Sequence, residues 1–201
     1  MWEILKRQWV LHIKDNPVAY LLIIFVFITG IMTGTFTVIS LSSQQKLNVS
    51  NFLQEFFNSQ QGVSINRWAI FRESLWQHFV TAFFIWFFGL FIWGSPFILT
   101  TIGIRGFSFG FTIGFMIENY RIGGFLFSLV CILPQSIVYV PCYISMGIIS
   151  MLFSLKKDHG HNKIGKYTAK IAIVFIVLLI GVLIETFASP FLFPLFIWIF
   201  R

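Results

Sequence analysis

Arg105 and Glu185 lie deep inside apolar sequence, and with Gln135 and Ser136 they are the groups whose chemistry needs explaining. An ion or amide facing hydrocarbon is costly, so each must be covered by another helix or line a wet path. Such a set could pass protons along a transport route, or it could be a polar network that fixes helix register. Hydrolytic chemistry finds no footing in the sequence. There is no H-E-x-x-H, no pair of intramembrane aspartates, and no serine in a nucleophile motif with a facing histidine. His12 and His78 stand at the edges of apolar runs. His159-Gly-His161 beside Asp158 offers two ligands in a lysine-rich loop, a pattern of solvation more than of metal binding. No P-loop occurs, and no catalytic residue, metal or cofactor is expected.

The elements that must position these groups are membrane helices. The 201 residues are 57% hydrophobic and 10% charged and include 27 Phe, whereas a soluble domain carries about 25% charged residues. The net charge of +7 would suggest nucleic acid in a soluble chain, but most lysines and arginines fall between apolar runs, where they orient a protein in a bilayer. Cys131 and Cys142 share one apolar segment, about 16 Å apart along a helix, so they cannot form a disulfide.

Residues 1–16 place Trp2, Leu5, Trp9 and Ile13 opposite Lys6, Arg7 and Lys14, an amphipathic helix on the cytoplasmic leaflet. The apolar run after Pro17 is longer than a signal-peptide core of about 7–15 residues, and no cleavage site comes after it, so it reads as a retained span. Five membrane segments are expected, over residues 18–41, 78–95, 97–118, 123–154 and 171–199. Between the first two lies an extracytoplasmic connector, 42–77, with two amphipathic faces: Phe52, Leu53, Phe56 and Phe57, then Trp68, Phe71, Leu75 and Trp76. It reads either as a self-shielding linker or as a docking surface, for which Phe52, Phe56, Trp68 and Trp76 are the candidates. Residues 155–170 form a basic cytoplasmic loop with five lysines. With the N-terminus inside and the C-terminus outside, the cytoplasmic face holds the larger share of Lys and Arg.

Gly106, Gly110 and Gly114 recur every four residues and line one side of the third span, while Gly30 and Gly34 do so on the first. Such faces permit backbone approach between helices and leave a homodimer open. Pro134 and Pro141 divide the long fourth segment and should kink or break it, freeing the carbonyls of Val130 and Ile137. A tight turn at Arg121-Ile-Gly-Gly124 makes the third and fourth segments antiparallel. Counting outward from that turn sets Arg105 level with Gln135 and Ser136, its expected partners, with an Arg105–Glu185 ion pair as a further option.

These residues also carry a resemblance. Arg105-Gly106-Phe107, Gly110-Phe111 and Gly114-Phe115, with Gly123-Gly124-Phe125-Leu126-Phe127-Ser128-Leu129, Leu133-Pro134-Gln135 and Pro141, are similar to the stage II sporulation protein M family of endospore-forming Firmicutes. Many relatives in the wider family carry a histidine after the first proline and an acid before the second; here Gln135 and Val140 stand there. The resemblance implies a mother-cell membrane protein of engulfment at the sporulation septum, a non-catalytic scaffold for two peptidoglycan-degrading enzymes, stage II sporulation proteins D and P. The competing expectation is a channel or permease-like subunit whose path runs near Arg105 and Glu185.

Overall fold

The structure, a computed structural model, describes residues 16–60, 67–155 and 161–197, with backbone alone at 52–60, 161 and 188–197. Helix α1 is Pro17–Ser40, α2 Ser43–Gln60, α3 Arg67–Gly89, α4 Ser95–Phe127, α5 Leu133–Ser154 and α6 His161–Ile197, with a π-helical turn, Ser128–Ile132, leading into α5. Pro17 opens α1 and Pro96 opens α4, each in the first turn, where a missing N–H costs nothing. Among the described residues, three stretches are long and apolar enough to cross a bilayer: Pro17–Ser40, Ser95–Ser154 and Asn162–Phe187. The middle stretch doubles back at Arg121, whose φ of 48° and ψ of −123° lie outside the helical region. That conformation suits glycine better than arginine and stores local strain.

Residue-to-residue contacts set the directions of the helices. Gly30 lies against Gly103 and Gly106, and Gly34 against Phe107 and Phe111, so α1 and α4 run parallel. Thr81 meets Arg105 while Phe88 meets Phe97, Ser74 meets Glu185 while Trp86 meets Thr168, and Tyr139 meets Glu185 while Ser150 meets Tyr167, so α3 is antiparallel to α4 and α6, and α5 is antiparallel to α6. The buried core runs through all five, with Ile23, Ile85, Ile102, Tyr143, Met146 and Leu178 at its centre. Along α1 only Ala19, Ile23, Phe27, Gly30, Gly34 and Val38 are buried, one narrow stripe at helical spacing. Leu21, Phe25 and Phe36 on its other side are more than 60% exposed, an apolar surface that belongs in lipid.

Several expected boundaries move. The second membrane segment, placed at 78–95, is part of α3, which begins at Arg67 and ends at Gly89. No glycine or proline separates 67–77 from the apolar run beyond it, so the amphipathic half of the connector simply continues the helix. Its apolar residues divide accordingly. Phe71 and Leu75 pack on the core, while Trp68 and Trp76 face outward. The third segment, placed at 97–118, is helical from Ser95 to the reversal. The basic loop, placed at 155–170, is shorter, because α6 starts at His161 and carries Lys163, Lys166 and Lys170. Residues 1–15, most of the expected cytoplasmic helix, and the side chains of Phe52 and Phe56 lie outside the described residues.

Pro134 does not break the fourth segment. The helix widens into the π turn just before it, and a π turn absorbs the lost i→i−4 bond without ending the helix. Pro141 sits inside α5. Both cysteines are free.

Candidate functional site: a polar network across four helices

The glycines form a seam of backbone contact between α1 and α4. A β-carbon at Gly30 would meet the Gly103 carbonyl oxygen, one at Gly34 the Phe107 carbonyl, one at Gly106 the Phe27 carbonyl, and one at Gly110 the Ile31 carbonyl. The two backbones therefore touch, and only glycine fits. Gly114 is looser, with Thr35 the nearest neighbour at 3.3 Å. Thr35 Oγ1 donates to the Gly110 carbonyl at 3.2 Å, a hydrogen bond between helices. Small residues with an interhelical hydroxyl are the usual means of holding helices together where lipid removes the hydrophobic drive.

Arg105 reaches α3. Its Nε donates to Thr81 Oγ1 at 2.8 Å and its terminal nitrogen to the Gln77 carbonyl at 2.6 Å, with a second bond to Thr81. Its guanidinium carbon lies 5.4 Å from the centroid of the Tyr143 ring. This corrects the expectation of Gln135 and Ser136 as partners. Ser136 donates to the Ile132 carbonyl of its own chain turn at 2.6 Å, and Gln135 is half-exposed. The reason is geometric. Gly124 lies against Met116 near the reversal, but further along Gly147 lies against Ile102, so the return limb does not stay level with α4 residue for residue. Equal counting from the turn therefore stops short, and Tyr143, two turns beyond Gln135, arrives level with Arg105.

Glu185 is held by three other side chains. Ser74 Oγ and Tyr139 OH donate to the same carboxylate oxygen at 2.5 and 2.6 Å, and His78 Nε2 stands 3.7 Å from it. The other His78 nitrogen, Nδ1, is hydrogen-bonded to Tyr143 OH. Gly181, one turn before Glu185, leaves room for the Tyr139 ring against α6. The direct Arg105–Glu185 pair is thus replaced by a relay: Glu185, His78, Tyr143, then the cation above the Tyr143 ring. Ser74, Gln77, His78 and Thr81 occupy successive turns of one α3 face, so a single helix serves both ions.

Sequence reasoning reaches the two ions but passes over His78, Tyr139, Tyr143, Ser74 and Thr81. Spacing on α3 is the usable signal, since Ser74, His78 and Thr81 mark a polar stripe at i, i+4 and i+7 in an aromatic helix. Chemically, the cluster satisfies a carboxylate and a guanidinium inside an apolar bundle, and each of four helices contributes. Among the described residues no group of three or more potential metal ligands occurs.

The bundle and this network define a helical integral membrane protein with a tied polar interior. The family model described as stage II sporulation protein M matches residues 23–190, and the chain belongs to that family, which makes it a sporulation-related membrane protein. No curated protein and no solved structure matches it.

Proposed function

We propose that this protein is a non-catalytic membrane scaffold of the engulfment machinery, crossing the mother-cell membrane five times with its N-terminus inside. In this reading it keeps stage II sporulation proteins D and P, which degrade peptidoglycan, at the septum. The supporting observation is the outer end of α3. Trp68 and Trp76 are 69% and 62% exposed there, and a cleft of about 690 Å³ beside Trp76 is lined by Arg72, Glu73, Phe79 and Phe175. Tryptophan is enriched among the residues that anchor protein partners. The network below would give that surface a rigid base.

The test replaces Phe52, Phe56, Trp68 and Trp76 together and measures co-purification of the two hydrolases. Loss of recovery from a stably inserted variant supports the scaffold, and undiminished recovery sinks it. The polar chain from Glu185 to His78, at 3.7 Å, and from His78 by a hydrogen bond to Tyr143 favours one second reading, a permease-like subunit. Flux through reconstituted protein that vanishes in Glu185→Gln would replace the scaffold by that reading.

A further inference from the structure

Where α3 and α4 meet, the bundle carries a groove of about 420 Å³ whose lining includes Phe84, Phe88, Thr101, Ile104, Arg105 and Ser108. Ile104 and Phe84 are 59% and 44% exposed, so the groove opens on the outside of the bundle and not into its core. The Phe88 ring stacks on Phe97 with centroids 4.9 Å apart, which ties the two helices together at the end nearer Ser95. Thr101 and Ser108 donate their hydroxyl protons to the Phe97 and Ile104 carbonyls of their own helix, at 2.8 and 2.9 Å. They need no outside acceptor, and their small size lets a further helix come close.

Arg105 is different, because its needs are only partly met. The bonds to Thr81 and to the Gln77 carbonyl use Nε and one terminal nitrogen, Nη2. Among the described residues the other, Nη1, has no hydrogen-bond acceptor, and no carboxylate is ion-paired with the guanidinium. Its depth restricts what can supply the missing anion. Arg105 is separated by about 15 Å of helix from Ser95 and by about 24 Å from the reversal at Arg121, in a hydrocarbon core of about 30 Å. The side chain does not climb to the nearer edge. Because α3 is antiparallel to α4, Gln77 lies a turn further from the Ser95 end than Thr81, and the bonds to both keep the guanidinium at depth. An ion there is matched by an opposite charge at the same depth, which a lipid phosphate at the surface does not offer. A second copy of this chain does not offer it either. A two-fold contact through this face sets Arg105 against Arg105, and Glu185 is enclosed by Ser74, Tyr139 and His78.

We propose that this groove receives one transmembrane helix of another protein, and that an aspartate or glutamate within the span of that helix pairs with Arg105. The carboxylate accepts from Nη1, a charge-assisted bond of the kind that Arg forms best. Small residues beside the acid lie over Thr101 and Ser108, and the rings of Phe84 and Phe88 form the apolar wall. The inference is independent of the hydrolase scaffold and rests only on membrane insertion.

The test places full-length protein in phosphatidylcholine vesicles with a fluorescent leucine–alanine transmembrane peptide at low density, carrying one central glutamate or a glutamine in its place. Binding is read by energy transfer. Wild type should bind the glutamate peptide about tenfold more tightly than the glutamine peptide, the scale of one polar contact between membrane helices. Arg105→Gln should bring the two peptides level. Ser108→Leu fills the groove from an exposed position, leaves Arg105 and its bonds to α3 in place, and should weaken the glutamate peptide as much, so the result does not depend on how well Arg105→Gln folds. Thr112→Leu, one turn further along the same exposed side, should change nothing. Equal binding of the two peptides by wild type, or an undiminished preference in either Arg105→Gln or Ser108→Leu, overturns the site. A preference that disappears when phosphatidylglycerol replaces part of the phosphatidylcholine would assign Arg105 to an anionic lipid and overturn the helix. Energy transfer between two labelled copies of the protein that Ser108→Leu abolishes would give the groove to a second copy and overturn it equally.

Discussion

Tyr139 donates its hydroxyl to Glu185 at 2.6 Å, on the same oxygen that receives Ser74. That bond joins α5 to α6 through a group that lipid would otherwise exclude, and it makes the carboxylate a junction rather than a free acid. Glu185→Ala would leave Tyr139 and Ser74 without an acceptor and His78 without its ionic partner. A charged hydrogen bond is worth about 1.5–3 kcal/mol in water-soluble proteins, and interhelical bonds in membranes average nearer 0.6 kcal/mol. Two donors and one ionic neighbour on one group put the expected loss at about 2 kcal/mol. Thermal unfolding in nanodiscs should show a clear fall for Glu185→Ala and a smaller one for Glu185→Gln, which still accepts.

The α1–α4 seam predicts a graded series. Gly110→Ala puts a methyl group into the Ile31 backbone, and backbone cannot step aside, so overpacking should cost about 2–3 kcal/mol. Gly114→Ala meets only Thr35 at 3.3 Å, partly through its side chain, and should cost under about 1 kcal/mol. Reversible unfolding in detergent would rank the two; equal losses would mean that the helices are not in backbone contact at Gly110.

Arg105 and Thr81 should be energetically coupled. Arg105→Lys keeps the charge but loses the planar fork that serves Thr81 and the Gln77 carbonyl at once. A double-mutant cycle of Arg105→Lys with Thr81→Val is expected to give about 1 kcal/mol of coupling, within the range found for neighbouring residues. The same cycle with Gln135→Leu in place of Thr81→Val should give none.

The inner and outer sides of α3 should behave differently. Trp68→Ala and Trp76→Ala change exposed positions and should alter stability by less than about 0.5 kcal/mol. Phe71→Ala removes a ring packed on the core and should cost about 2 kcal/mol. Chemical denaturation of the single variants separates them, and a large effect of Trp76→Ala would show that this side is covered.

Much of this arrangement is legible in local sequence. The glycine period, the prolines, the two ions within apolar sequence and the family resemblance depend on residues near one another in the chain. Which helix meets which ion is not legible in that way. The hairpin makes α5 the sequence neighbour of Arg105 and so its expected partner, yet α3 offers Thr81 and a carbonyl at the right height. Pairing across a bundle depends on tilt and on where each helix starts, and neither is encoded by spacing within one segment. His78 escapes for a related reason. In sequence it reads as the first residue of a span, whereas α3 has already run more than two turns before reaching it.

The parallel pairing of α1 with α4 has a consequence for biogenesis. Thr35 and the Gly110 carbonyl that it binds are separated by 75 residues. Helix α1 must therefore wait, its glycine groove bare, until α2 and α3 have been made. Contacts so distant along the chain close late and leave a long-lived nascent intermediate. Quality-control proteases or an insertase chaperone acting on this protein would meet it in that window, with Gly30 and Gly34 as the exposed mark of an unfinished molecule.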